Sequence, residues 1–342
     1  MALFRMKPQY RKRGKKASYY RTADGLQYAV ARLAAGSIGN YAVFGGGTPS
    51  GFWDYGSVTA YNQSLTKSIP TAFDMGTSCL AAAFNEHYLL FGGGSAQYVY
   101  AYDTSLTRNT SSKDIGRTAY YLAAASVGDY ILFGGGYDVN ASYANNVTAF
   151  NQALTRHSVT GLNDSIAHLS ATSVGDYALF SAGARENNWD GVKWVAAYNQ
   201  SLTKSNPTDL SIKRYHGAAA SLGNYAVFGG GSDGNPVNAV DAYDQYLTRS
   251  NPTELSVARA ALSAASVDGC IIFGGGRVNS TAIVSNIVDV YDQYLTRSNP
   301  TELSVAREQL AAASVKHYIL FGGGYYDRNA NTTDVVDVYQ VV

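Results

Sequence analysis

Residues 243–259 read YDQYLTRSNPTELSVAR, and residues 291–307 repeat all seventeen letters, 48 positions further on. A segment copied whole is a building block of an array, and an array of like units can close into a single body. Working outward, FGGG or a near variant begins at Phe44, Phe91, Phe133, Phe180 (as FSAG), Phe228, Phe273 and Phe321. The spacings are 47, 42, 47, 48, 45 and 48. One aromatic follows each string: Tyr61, Tyr102, Phe150, Tyr198, Tyr243, Tyr291 and Tyr339. Seven units of about 46 residues are present.

Each unit carries four strand signals. The first is small and apolar, as in LAAASV (310–315). A tight turn such as GD (128–129) or GN (39–40, 223–224) leads into YILF (318–321) or YAVF (41–44), which ends in glycines. A loop of variable length precedes an alternating VVDVYD-like strand; a DQ or NQ turn then leads to LTRS or LTKS. Pro70, Pro207, Pro252 and Pro300 follow this fourth strand. Proline donates no ladder hydrogen bond, so the fourth strand is expected outermost and the Ala-rich strand innermost. The pattern predicts an all-β, seven-bladed β-propeller with four antiparallel strands per blade. The last unit stops after its third strand, and SYYR (18–21) stands where a fourth would fall. The N-terminal strand is therefore expected to complete the last blade, with a basic arm over 1–17 and the propeller over 18–342.

Composition agrees: 342 residues, 46% hydrophobic and 15% charged, with 35 Gly and 28 Tyr, favour strands and tight turns. No apolar run approaches the roughly 18–20 residues of a membrane span, and the N-terminus lacks the apolar stretch of a secretion signal. Cys79 and Cys270 fall in different units, so neither a disulfide framework nor a metal cluster is expected, and both should be buried. The net charge of +1 hides an asymmetry. Arg5, Lys7, Arg11, Lys12, Arg13, Lys15 and Lys16, with Arg21, leave 18 basic against 25 acidic residues in the rest. Such an arm suits an anionic partner: an acidic protein, a membrane surface or nucleic acid. The alternative is a solvated tail.

A strand ending in glycines, followed by an aromatic on the next strand, resembles the kelch family of propellers over residues 22–342. The glycines here are tripled, and the usual Trp after the aromatic is absent; Leu stands four residues on instead (Leu65, Leu106, Leu154, Leu202, Leu247, Leu295). The uniform AYNQSLTR-type repeats look like divergent kelch-like proteins of bacteria and their phages. The family includes adaptors, surface binders and carbohydrate-active enzymes, so the fold leaves the function open.

Alternating strand directions put the terse turns on one face and the second–third loops on the other, together with the crossovers. Those loops are irregular and hold all three tryptophans. Trp53, Tyr55, Tyr98, Tyr100, Tyr137, Asp138, Arg185, Asn188, Trp189, Asp233, Tyr325, Tyr326 and Arg328 form the expected ligand-binding face. Rigid aromatics beside Asn, Asp and Arg suit a glycan or protein. The competing reading has the tryptophans covering gaps between blades, most of all Trp194. No HxH or HExxH spacing exists, and the glycine triplets do not open helices, so metal, phosphate-cradle and cofactor readings find no support. His87 and His317 share one turn position. Arg214, Arg259 and Arg307 recur before inner strands, either ringing the channel mouth or, as favoured, satisfying buried carbonyls between blades. The expected protein is a non-enzymatic binder on a phage particle, held by its arm to another virion protein. The alternatives are a cytoplasmic interaction scaffold and a kelch-like enzyme needing His, Tyr, Arg and carboxylate groups converged at the channel mouth.

Overall fold

The computed structural model describes residues 14–51, 53–140, 142–186, 189–279 and 283–342, with the side chains of 110–113 left aside. Among the described residues, 28 strands form seven four-stranded antiparallel sheets. In six sheets strand order follows the chain, as in Ala34–Ile38, Tyr41–Gly45, Val58–Asn62 and Lys67–Ser68 of the first blade. The first strands of successive blades neighbour one another around the axis, the seventh meeting the first. The proline-followed fourth strands are two residues long in four blades, which keeps the outer edges short.

The seventh blade joins both ends of the chain. Ala311–Val315, Tyr318–Gly322 and Val336–Val341 are completed on the outer edge by Ala17–Ala23. Tyr19 pairs with Tyr339 and Ala23 with Val336. Lys16 and Val342 exchange backbone hydrogen bonds at 3.2 and 3.0 Å. The expected closure is present, and its strand starts at Ala17, the last position assigned to the arm.

Blades are joined chiefly through FGGG. All seven phenylalanines are buried. A methyl group on Gly45, Gly92, Gly134, Gly229, Gly274 or Gly322 would come within 2.8–3.1 Å of the following blade's phenylalanine, Gly322 meeting Phe44 across the closure. The second glycine has a left-handed φ and faces the next blade's leucine, as Gly46 faces Leu80 and Gly323 faces Leu33. The fourth–fifth seam differs on both sides: Ala182 occupies the second-glycine place, and Gly217 replaces the leucine. Volume added by one blade is removed from the other.

The repeated segment supplies another seam. Tyr291 Oη donates to Thr253 O at 2.7 Å, and Tyr339 Oη to Thr301 O at 2.8 Å. The tyrosine of one blade thus binds the NPT crossover of the blade before. Tyr61, Tyr102, Tyr198 and Tyr243 make the equivalent bond at 2.5–2.8 Å.

Arg214, Arg259 and Arg307 do not ring the mouth; they are buried under the crossovers. They donate to Phe228 O (3.3 Å), Gly275 O (3.0 Å) and Phe321 O (3.0 Å). Each also pairs with a fully buried third-strand aspartate: Asp241 at 2.8 Å, Asp289, and Asp337 at 2.8 Å. The first blade holds Val30 and Thr59 at these two positions, and the fourth Ile166 and Ala196, so charge enters or leaves as a pair.

Arg259→Val alone leaves buried Asp289 with only the longer 3.8 Å contact to Arg297 and should destabilise the fold by about 3–5 kcal/mol. Arg259→Val with Asp289→Thr copies the first blade and should recover more than half of that loss in urea melts. Strictly additive losses in the double-mutant cycle would show that the two residues do not act as a unit.

Candidate functional site

The two faces of the ring carry different chemistry. The arm starts on the turn face: Lys15 O accepts from Cys270 Sγ at 3.4 Å, and Lys15 Nζ lies 3.9 Å from Asp268. Arg5, Lys7, Arg11, Lys12 and Arg13 lie outside the described residues, as does Asn188. The second–third loops and crossovers surround the axis on the opposite face.

There, a residue one or two positions before each inner strand forms a collar. Arg32, Cys79, Tyr121, His168, His216, Ala261 and Gln309 all have φ between 52° and 59°. That left-handed conformation costs a non-glycine residue on the order of 1 kcal/mol. It is offset by a closed chain of hydrogen bonds. Each N–H donates to the carbonyl of its counterpart in the preceding blade at 2.8–3.0 Å, and Arg32 donates to Gln309 across the closure. The seven side chains line a cavity of about 230 Å³ at the axial mouth. Deeper in the channel, Ser173 and Ser221 hydroxyls donate to Ser126 and Ser173 carbonyls at 2.6 and 2.7 Å, while Phe84 takes the serine's place in the second blade.

The mouth is two-sided. Rings gather over blades three to five: Tyr121–His168 at 4.0 Å, His168–His216 at 4.2 Å, His168–Trp189 at 4.8 Å and Trp189–Tyr215 at 5.5 Å. Tyr137 joins them 5.9 Å from His168. Charge gathers across the closure. Arg32 Nε donates to Gln309 Oε1 at 2.8 Å, and its guanidinium lies 5.9 Å from the Tyr121 ring and 5.5 Å from that of Tyr325. Arg277 pairs with Glu308 at 3.3 Å. Asp54 accepts from Ser95 at 3.1 Å on the rim.

Burial dominates the electrostatics. It pushes the His216 imidazole down to about 3, helped by Arg277 and Arg32. His168 is held well below the ordinary histidine range by burial, then by His216 and the same arginines. Both are neutral near pH 7. Neither ring nitrogen of His168 has a hydrogen-bond partner among the described residues. Burial raises the Cys79 thiol and the Glu308 carboxyl. Both cysteines are free and buried, as expected.

The expected face divides. Tyr137, Trp189 and Tyr325 meet at the mouth. Trp53, Tyr326 and Arg328 are exposed on loops, Trp53 at 83%. Tyr55 packs against Tyr28 with ring centroids 4.7 Å apart and planes tilted by 52°. Tyr98 begins the Tyr98–Asp103 strand, half-buried. Tyr100 is interior rather than on the face, stacked on Phe73 at 4.4 Å. Asp138 accepts from Asn140 and Ser142 amides and caps its own loop. Arg185 binds Asp164 (2.6 Å) and Asp190 (3.2 Å), while Lys213 bridges Asp190 and Asp233. Trp194 donates to Asp164 at 2.8 Å and packs against the core. This network pins the loop that carries Trp189.

Arg32, Cys79, Tyr121, His168, His216 and Gln309 escaped the sequence reading because they abut the most uniform strand. The signal was present: the letter two before AAAS-like runs reads R, C, Y, H, H, A, Q while the leucine that follows it changes only once, to Gly217. Compared with protein-family models and with curated proteins, the chain matches none.

The lowered histidines make a pH prediction. Well above about pH 6.5 they are neutral folded or unfolded and contribute no dependence. Below it the unfolded chain takes up protons that the folded chain refuses, so stability falls by up to ~1.4 kcal/mol per pH unit for each histidine. Glu308, raised when folded, acts in the opposite sense in acid. His168→Phe with His216→Phe should therefore show a shallower fall in Tm from pH 6.5 to 4 than the parent. Equal slopes would mean that the folded imidazoles take up protons as readily as the unfolded ones.

Proposed function

We propose that this chain is a non-enzymatic, kelch-type binding propeller that recognises a surface glycan or protein on its loop face. The observation carrying this reading is the separation of faces. Variable aromatic and polar side chains concentrate around the axial mouth, while the basic arm begins on the other side beside Cys270 and Asp268. A ligand on one face and an anchor on the other suit a part fixed to a larger assembly. The assembly we favour is a phage particle, with the arm seated on another virion protein; free, buried cysteines fit manufacture in a reducing cytoplasm.

A second reading has one specific observation in its favour. His168, His216, Tyr121, Arg32 and Glu308 do gather at the mouth, as a carbohydrate-active enzyme would require. Against it, general acid–base catalysis wants a group titrating near the working pH. The two imidazoles are pushed far below neutrality and the Tyr121 phenol far above it. Binding is the better account of groups held in one protonation state. Turnover of any member of a glycan panel by the purified chain, lost in His216→Phe, would reverse that preference.

Deleting residues 2–13 spares Lys16 and the closing strand, so Tm should stay within about 2 °C of the parent while incorporation into particles is lost. Unchanged incorporation would remove the anchoring role. Deleting 2–23 removes the closing strand as well and should lower Tm by well over the ~2–4 °C that 1 kcal/mol costs a domain of this size.

A further inference from the structure

We propose that the axial mouth binds a single sugar acid, with Arg32 holding its carboxylate and His168 its hydroxyls against the Tyr121–Trp189 wall. This rests on the loop face being a recognition surface, and narrows it to one pocket and one ligand class.

Arg32 is fixed but unfilled. Its Nε is engaged by Gln309, and tyrosine rings flank its guanidinium. The two remaining nitrogens make no hydrogen bond among the described residues, so the fork that matches a carboxylate is in place and open. The other mouth cation, Arg277, already has Glu308. With Glu308 on Arg277 and Asp54 on the rim, the two arginines already face two acids, so a dianion such as a sugar phosphate is disfavoured and a single carboxylate is held by the open Arg32 fork alone.

His168 is the independent sign. It is 6% exposed and lines the cavity, yet both its nitrogens lack partners among the described residues. Buried polar groups in folded proteins are nearly always paired, and an exception calls for an explanation. A neutral imidazole offers one donor and one acceptor. A polyol supplies the complement of both, whereas benzoate or another hydroxyl-free acid supplies only acceptors. Trp189, in a left-handed conformation and half exposed, packs 4.8 Å from it at the edge of the mouth, where its free area is available to the C–H groups of a pyranose. At about 230 Å³ the cavity falls below the ~300–1,000 Å³ of drug-sized sites, which fits one ring and not a chain of them.

The test is a calorimetric and tryptophan-fluorescence titration of the full chain with glucuronate, galacturonate, N-acetylneuraminate, glucose, benzoate and sulfate. At least one sugar acid should bind about tenfold or more tighter than glucose, benzoate or sulfate. Arg32→Gln should lose about tenfold or more of that affinity. His168→Phe removes the two orphaned nitrogens, so it should melt no lower than the parent at neutral pH yet lose the sugar acid as well. Glucose or sulfate binding as tightly as the best acid, or affinity retained in a folded Arg32→Gln, would overturn the proposal. Failure of all three acids, with glycan-array binding that depends on Trp53 or Tyr326, would sink the mouth site and leave the recognition face standing. Failure of the acids and of every surface ligand on arrays of glycans and virion-host proteins would remove both.

Discussion

At six of the seven seams a phenylalanine occupies the space that a missing side chain leaves in the blade before it. Gly274 has no Cβ because Phe321 is there, and Gly322 has none because Phe44 is there. This contact sets how closely two sheets approach, and its six repetitions set the ring. The other seams depend on that distance: the leucine on the second glycine, the tyrosine hydroxyl on the preceding crossover, the collar hydrogen bonds at 2.8–3.0 Å. Interiors packed like crystals tolerate little change in volume. The exchange of Gly/Leu for Ala182/Gly217 is what such a constraint demands when one seam departs from the rest.

Internal repetition made the architecture readable. Seven copies of one unit act as an alignment inside a single chain, so strand number, blade order, outer prolines and the N-terminal closure were all available from spacing. The axial site was not, for a geometric reason. Its residues lie 42 to 48 apart in sequence, one per blade, and only a closed ring brings them together. His168 and His216 look unrelated until the two blades stand side by side with rings 4.2 Å apart. The expected face selected aromatics by loop membership, which captured Trp189 and Tyr325 but also took in Tyr100, whose strand turns it into the core. Arg185 and Asp233 looked available as recognition groups, and ion pairs with Asp164, Asp190 and Lys213 occupy them.

The buried arginines show how far repeat position constrains chemistry. Asp241, Asp289 and Asp337 stand opposite Phe228, Phe273 and Phe321 in the ladder, where the other blades place Thr59, Tyr100, Thr148 and Ala196. A lone charge there would be untenable, so charge appears only where the crossover supplies an arginine. These pairs stabilise no more than a well-packed apolar alternative would. Their presence in three consecutive blades, two of them carrying the identical seventeen residues, marks common descent of the units rather than a demand of the fold.

The collar obeys a different logic. Elsewhere the repeat varies by compensated pairs, one change answering another across a seam. In the collar, side-chain identity changes from Arg to Cys, Tyr, His, Ala and Gln with the backbone unmoved, because the hydrogen bonds that fix it run through the main chain alone. The position is therefore free to vary without cost to closure, while its side chains are displayed at a fixed place. Strain and unpaired polar groups persist in native folds mainly where function retains them. The collar's left-handed backbone is accounted for by its ring of hydrogen bonds, as the turn leucines adopt it too, but the buried histidine at this level has neither nitrogen paired among the described residues. A fold that needs only its glycines and phenylalanines to close has no structural use for an orphaned imidazole, so selection for something that enters the mouth is the simpler reason for keeping it.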